Sequence, residues 1–423
     1  MENLKECIPA SCLDEHEEES RITPSVAVKS QMRWLTKHLP ETLPAQDVIS
    51  GQLKGLFLSQ TMPTVHTGAL LAVGHAIDTD RLANSKKRRA PLLALPFGAS
   101  SHVLQVIVPR EEIRAWPERN GSKLSLLDTS SYENAFWQGT GGSIRQIVSA
   151  QDDNFVETFL AVRQESIITI FRPLTKKCFG SAHLPGDNGK PSTRSILEPN
   201  QIAQLTGERT TSRTYVDVSF NPWYVRQFAV IDDRGCWSLW DIERVHDRPS
   251  YFLLPGKIGN IYDGQSAETL DTKTASGNEQ ADGWHKILWT CNLSTIVVCN
   301  RRSIAVFDTK GLPERLQSPS LLPAKSSEWI LDVVRSTKNL DHLFVLTTSR
   351  IYWIEVAAAR EAMVDVDRFE GVRIILSYQH FRSADDESMR LTTITDEHCE
   401  YSFVLEAFIT DMTSICGDQL FDL

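Results

Sequence analysis

Four stretches of this chain repeat one small layout: an apolar burst of strand length, a loop, a second burst, a tight turn and a third burst. In the clearest copy, Tyr215-Val216-Asp217-Val218-Ser219-Phe220 leads into Asn221-Pro222-Trp223, then Gln227-Phe228-Ala229-Val230-Ile231, Asp232-Asp233-Arg234-Gly235 and Cys236-Trp237-Ser238-Leu239-Trp240-Asp241. The order recurs from Trp284 through Asn300-Arg301-Arg302 to Phe307-Asp308, and from Trp329 through Ser349-Arg350 to Trp353, with a weaker copy from Ile144 to Phe171. Bursts of 4–8 residues bounded by Gly, Asn and Asp suit strands far better than helices. A small amphipathic sheet cannot bury both faces alone, and radial stacking against like sheets covers them while leaving only short edges. The expectation is an all-β, WD40-like β-propeller with long inter-strand insertions and a short N-terminal helical segment.

The third burst of each copy closes on an aromatic residue, Phe171, Trp240, Phe307 and Trp353, at separations of 69, 67 and 46 residues. A minimal blade repeats every ~40–45 residues, so the longer spacings call for insertions or for degenerate blades between the copies. Two stretches rich in small and polar residues, 179–213 and 262–282, are read as exposed loop insertions. The remaining organisation is an acidic head over 1–23, a helix over 24–39 that Pro40 ends, a linker to 67, and the propeller over 68–423. Glu355–Val364 is the one other helix candidate, and residues 401–423 show no clear blade-closing strand. Seven tryptophans fall inside the copies, at 223, 237, 240, 284, 289, 329 and 353, and all are expected in the core.

Composition narrows the function classes. Forty-four Lys and Arg stand against 54 Asp and Glu, a formal charge of -10, which disfavours a chain whose main work is neutralising phosphate backbones. The first twenty residues are acidic rather than signal-like, and no apolar run approaches the ~20 residues that cross a bilayer, so no membrane partner is expected. The eight cysteines form no CxxC pair. Gly139-Thr140-Gly141-Gly142-Ser143 lacks phosphate-loop spacing and leads into a strand-like run, so it reads as a turn between blades. There is no HExxH, no GxSxG and no kinase loop set, and the acidic pairs sit where turns are expected. No catalytic residue, metal ligand or cofactor is therefore expected. Lys86-Lys87-Arg88-Arg89 is the one dense basic run; it suits a nuclear import signal, a contact with nucleic acid or an acidic partner, or a solvated loop.

The block from Asp217, Phe220, Asn221, Pro222 and Trp223, through Gln227 and Phe228, to Gly235, Trp237, Trp240 and Asp241 closely resembles a signature of the fungal RRN6-like family of RNA polymerase I-specific transcription initiation factors. Trp284, Asn300, Arg301 and Phe307, then Trp329 and Trp353, resemble the same family in the same order, as do Gly139–Ile147 and Ser377–Arg382. The resemblance implies a non-enzymatic scaffold, the propeller subunit of a core promoter factor in the nucleus and nucleolus. It implies two partner subunits, one TFIIB-like and one built of helical repeats, the RNA polymerase I machinery, and ribosomal DNA reached mainly through the complex. A propeller interaction module of another nuclear complex is the alternative. The resemblance also implies a large helical region after the propeller, and the expectation is that the 423 residues here stop short of it.

Overall fold

The computed structural model describes Lys37 and residues 67–79, 89–98, 100–115, 123–128, 133–151, 157–179, 193–210, 214–245, 250–263, 282–323, 326, 328–357, 371–380, 389–394, 402–407 and 412–416. The chain divides into two compact units, Met1–Val65 and His66–Leu423. In the first only Lys37 is described, and it is helical. The acidic head and the rest of the 24–39 helix lie outside the described residues.

The second unit is a nearly closed propeller of sheets that follow one another in chain order. The first sheet holds β1 (Ala72–Asp78), β2 (Arg89–Phe97), β3 (Val103–Ile107) and, after a separate hairpin of β4 (Arg110–Ala115) and β5 (Lys123–Asp128), β6 (Asn134–Gln138). The second holds β7 (Gln146–Gln151), β8 (Thr158–Arg163) and β9 (Ile167–Phe171). Before that sheet is completed, the chain forms β10 (Leu174–Phe179) and β11 (Thr193–Glu198), an antiparallel pair in which β10 lies parallel to β1 and joins the first sheet. It then returns as β12 (Gln201–Thr206), which pairs with β9 and leads into the short helix α1 (Gly207–Thr210).

The next three sheets are uninterrupted four-stranded meanders. They comprise β13 (Tyr215–Phe220), β14 (Gln227–Asp232), β15 (Cys236–Arg244) and β16 (Tyr251–Asn260); β17 (His285–Trp289), β18 (Thr295–Asn300), β19 (Ile304–Asp308) and β20 (Glu314–Leu316); and β21 (Ile330–Arg335), β22 (His342–Thr347), β23 (Arg350–Ala357) and β24 (Gly371–Gln379). A sixth sheet has three strands, β25 (Arg390–Ile394), β26 (Ser402–Ala407) and β27 (Met412–Cys416).

Each of the four repeated copies is the first three strands of one blade, and the long spacings have a concrete source. The 69-residue interval contains the β10–β11 excursion and β12, so within the stretch read as loop, 193–198 and 201–206 are strand instead. Their polar-rich sequence misled because edge strands with one wet face need few apolar residues. Of 262–282, only 262, 263 and 282 are described. Glu355–Ala357 continue β23 rather than start a helix, since the strand is already paired with β24 there. The end of the chain was also misread: 402–407 and 412–416 are strands, the first held by pairing with β25 and the second by pairing with β26 rather than by strong local pattern.

The core lies between blades. Blades one and two bury Leu92, Leu104, Val106, Ile147, Val162 and Phe171 together; two and three bury Phe159, Ile170, Val218, Phe228, Val230 and Trp240. Trp237, Leu239, Trp289, Val298 and Phe307 join three to four, Val297, Val306, Val333, Val345 and Ile354 join four to five, and Leu331, Phe344, Met389 and Leu391 join five to six. Middle strands are therefore apolar on both faces, as β22 shows with buried residues from Leu343 to Thr347. The outer strands β16 and β24 each carry a register shift opposite the third strand, and β16 adds Pro255, features that blunt an exposed edge against stray pairing.

Candidate functional site

The inner strand of each blade has one edge without a neighbouring strand in its own sheet, and buried amides there need other acceptors. Gln146, Asp217, Lys286 and Asp332 occupy the same position in four successive inner strands, each opposite the last second-strand residue that pairs with the third strand: Arg163, Ile231, Cys299 and Leu346. Their side chains form a belt from blade to blade. Gln146 Oε1 accepts from the Val218 amide at 3.2 Å, Asp217 Oδ2 from the Ile287 amide at 2.8 Å, and Asp332 Oδ2 from the Leu391 amide at 3.1 Å. Lysine cannot accept, so at that junction Lys286 Nζ donates to Asp332 Oδ1, which also takes its own neighbour's amide, that of Val333, at 2.9 Å.

Cross-links tighten the belt. Gln146 Nε2 donates to Asp217 Oδ1 at 2.6 Å, and Arg163 donates from Nε to Gln146 Oε1 at 3.0 Å and from Nη1 to the Tyr215 carbonyl at 2.7 Å. Burial pushes the Asp217 carboxyl above its ordinary value, against the pull of Lys286, the Ile287 amide, Gln146 and Arg163. Burial likewise pushes Arg163 down to about 10, with Asp217 opposing. For Lys286 burial works downward, but Asp332 and Asp217 outweigh it and hold the ammonium above its usual range. Burial disfavours the charged form of each group, and the opposite charges of Lys286, Arg163, Asp217 and Asp332 offset part of that cost, or at Lys286 more than all of it.

The family-signature residues surround this belt. Phe220 and Phe228 pack with ring centroids 6.0 Å apart, and Trp237 meets Phe307 at 5.4 Å across the next interface. Trp240 is buried and donates from Nε1 to Ser238 Oγ at 2.9 Å. At the loop end, Asn221 Oδ1 accepts from the Trp223 and Tyr224 amides, while Nδ2 donates to Gln227 Oε1 at 2.9 Å and to the Leu293 carbonyl at 3.0 Å. Gln227 passes the chain on to Asp241 Oδ1 at 3.0 Å. Pro222 follows Asn221 in this turn, where a residue without an amide proton leaves no donor unsatisfied.

At the opposite end, Gly235 takes φ 76° in the turn after Asp232, and a Cβ there would lie 2.6 Å from Ile261 Cγ2. Arg301 lies between two indoles, 4.6 Å from the Trp284 ring and 5.4 Å from that of Trp329, with Nε donating to Asp282 Oδ2 at 2.8 Å and Nη1 to the Ile330 carbonyl at 3.0 Å. Asn300 Oδ1 caps the turn by accepting from the amides of Arg302 and Ser303. This group clasps blade four to blade five.

Two tryptophans depart from expectation. Trp223 is 37% exposed, because it sits on the loop between the first two strands rather than in either. Trp353 is not the equivalent of Trp240 and Phe307: those pack toward the preceding blade, whereas Trp353 packs with Phe344 toward the following one. A one-residue offset in a strand flips the face, and Tyr352 and Ile354 take the position that Trp353 was expected to fill. Lys86, Lys87 and Arg88 lie outside the described residues, and Arg89 begins β2. The run 139–143 joins β6 to β7, and Gln164 Nε2 donates to the Gly142 carbonyl at 2.6 Å.

The belt itself escaped the sequence reading apart from Asp217. Its signal is there in Arg-Gln-Ile-Val, Val-Asp-Val, His-Lys-Ile-Leu and Leu-Asp-Val-Val: a polar side chain within the first three residues of the first strand, directly ahead of an apolar pair or single apolar residue. Among the described residues no group of three or more His, Cys, Asp and Glu side chains could hold a metal ion, and no helix is long and apolar enough to cross a membrane.

These features define a β-propeller whose signature polar residues are committed to fastening blades to one another. The family model described as "Rrn6, beta-propeller" matches residues 64–409, and the chain belongs to that family. The RNA polymerase I-specific transcription initiation factor RRN6 of Saccharomyces cerevisiae is 26% identical over 200 residues, which cover 47% of this chain and 19% of that protein. A chain in the crystal structure of the S. cerevisiae core factor superposes with a TM-score of 0.53 at 15% identity, over 85% of this chain and 50% of that one. The chain thus corresponds to half or less of the length of these relatives.

Proposed function

We propose that this chain is a non-enzymatic scaffold in an RNA polymerase I core promoter initiation factor, acting in the nucleus and nucleolus to support assembly of the initiation complex on ribosomal DNA. The observation that carries the reading is the family match over 64–409, most of the propeller. The polar groups described above support it: they are spent on inter-blade bonds, an arrangement that yields a rigid body with loops for docking rather than a reaction centre. Its partners in this reading are a TFIIB-like subunit, a helical-repeat subunit and the polymerase machinery, with promoter DNA held mainly by the assembly. The Lys86–Arg89 run serves nuclear import.

The test is copurification from cells with the chain tagged at its natural level, together with pulse labelling of ribosomal RNA after its depletion. Retention of core factor subunits and a fall in new ribosomal RNA are expected. Unrelated partners with undiminished synthesis would overturn the reading. Alanine replacement of Lys86–Arg89 should leave a fluorescent fusion outside the nucleus.

A further inference from the structure

His285 opens β17 at the corner where blade four meets the Asp232–Gly235 turn of blade three, and it is only 6% exposed there. Its Nδ1 lies 3.1 Å from the Gly283 carbonyl. A carbonyl only accepts, so Nδ1 carries the proton and Nε2 presents a lone pair. Nε2 is buried and has no hydrogen-bond partner among the described residues. It lies against Gly235, where a Cβ would come within 3.1 Å of it and within 2.6 Å of Ile261 Cγ2.

The corner fits the neutral ring and holds no acceptor for a second N–H. Asp232 Oδ1 takes the amides of Arg234 and Cys236 at 3.0 and 2.8 Å, and Asp282 takes the Trp284 amide at 2.9 Å and Arg301 Nε at 2.8 Å. Asp233, beside Arg234, sets its Cβ 3.3 Å from the place a Cβ on Gly283 would fill. From the end of β16, Asp263 accepts from the Asn260 amide at 2.6 Å. Asn300, opposite His285 on β18, is uncharged, and Lys286, the next residue of β17, reaches into the belt. Burial is the largest influence on the ring and disfavours the cation; the Gly283 bond, Asp232, Asp282 and Asp233 favour it by less.

An imidazolium in this corner satisfies Nε2 by turning out to water. Three contacts go with it. The Gly283 carbonyl loses its donor, and the 3.0 Å bond from the Ile261 amide to the Gly235 carbonyl loses the ring that backs it. Gly283, at φ 74°, supplies a pivot without a side chain. Trp284 follows directly, and its ring carries Arg301 at 4.6 Å, which in turn lies 5.4 Å from Trp329 of blade five.

We propose that His285 is a proton-operated latch on the propeller. Neutral, it seals the corner between blades three and four; protonated, it turns out, frees residues 282–285 from the blade-three turn and slackens the Arg301 clasp on blade five. The opening is local and leaves the strand ladders paired. It is independent of what the chain assembles with.

The experiment is amide hydrogen exchange on the full chain at about pH 7.5 and about pH 5.5, corrected for the intrinsic rate at each pH. With the released ring titrating at its ordinary 6.5, linkage limits the added opening over that span to about tenfold, and a rise of several-fold is expected at the Ile261 and Trp284 amides. The Val230 amide of β14 and the Val298 amide of β18 should not change. His285→Gln should hold exchange at the corner flat across the same span. Asp233→Asn removes a charge that favours the imidazolium, so it should move the midpoint of opening to lower pH. Flat exchange in the wild type, a rise that persists in His285→Gln, or a rise spread equally over β14 and β18 overturns the latch. If the glutamine variant does not fold, an unmoved midpoint in Asp233→Asn overturns it instead.

Discussion

Replacing Asp217 by alanine tests whether the polar belt holds the blades in register. The carboxylate is buried and accepts from Gln146 Nε2 at 2.6 Å and from the Ile287 amide at 2.8 Å, while Lys286 and Arg163 stand near enough to bias its ionisation. Truncation strands the Ile287 amide at the edge of the next inner strand and leaves two cations short of a counter-charge. Hydrogen bonds to a charged group contribute about 1.5–3 kcal/mol each, and removing one member of a buried ionic set costs about 3–5 kcal/mol, so the lower part of the summed range and the second figure agree. The unfolding entropy of a unit of about 350 residues converts 3–5 kcal/mol into a fall of about 4–7 °C in Tm. Differential scanning calorimetry on wild type and variant reads this directly. Asp217→Asn should lose about 2–3 kcal/mol, because both neighbours are donors and the new amide offers one acceptor oxygen in place of two. A change below about 1 °C for the alanine variant would refute the belt as a structural element. A coupling energy near zero in a cycle combining Asp217→Asn with Lys286→Met would remove the electrostatic part of the reasoning alone.

Trp240→Ala should cost about 3–5 kcal/mol by loss of a buried aromatic, whereas Trp223→Ala should leave stability within about 0.5 kcal/mol; urea unfolding midpoints separate the two. Arg301→Lys keeps the charge but loses the planar fork between Trp284 and Trp329, and should cost about 1–2 kcal/mol in the same assay, with Arg301→Ala costing more. Acid should weaken the fold through His285, whose pKa burial lowers below 6.5 despite Asp232, Asp233 and Asp282 nearby. The unfolded chain then binds the proton more readily, so stability present above pH 6.5 is lost as pH falls toward the depressed folded-state value. Thermal scans from pH 7.5 to 5 should show a shallower loss in His285→Gln, the difference between the two curves cancelling the other titrating groups.

The blades were legible because their chemistry is local. Val218, Phe228 and Trp240 announce strands by burst length and by the turn residues between them, and the copies reinforce each other. The β10–β11 pair was illegible because its place depends on the end of β1, where Ile77 faces Leu174 across nearly a hundred residues of chain. The closing strands β26 and β27 were missed for a related reason: their local pattern is weak, and they are organised by pairing, β26 with β25 and β27 with β26.

Asp217 was singled out from the sequence, yet its task emerged only when Gln146, Lys286 and Asp332 were seen at the same height in neighbouring blades. Trp223 and Trp353 make the same point about direction. A strand's period of two tells which residues share a face, but not which blade that face meets or whether a loop indole is covered. By itself, then, the sequence determined the repeating sheet unit, its turns and its aromatic payload, because these follow from local periodicity and backbone preference. Only the tertiary structure decided the belt, the Arg301 clasp and the seat of His285, because each depends on residues some 20 to 70 positions apart meeting across blade boundaries.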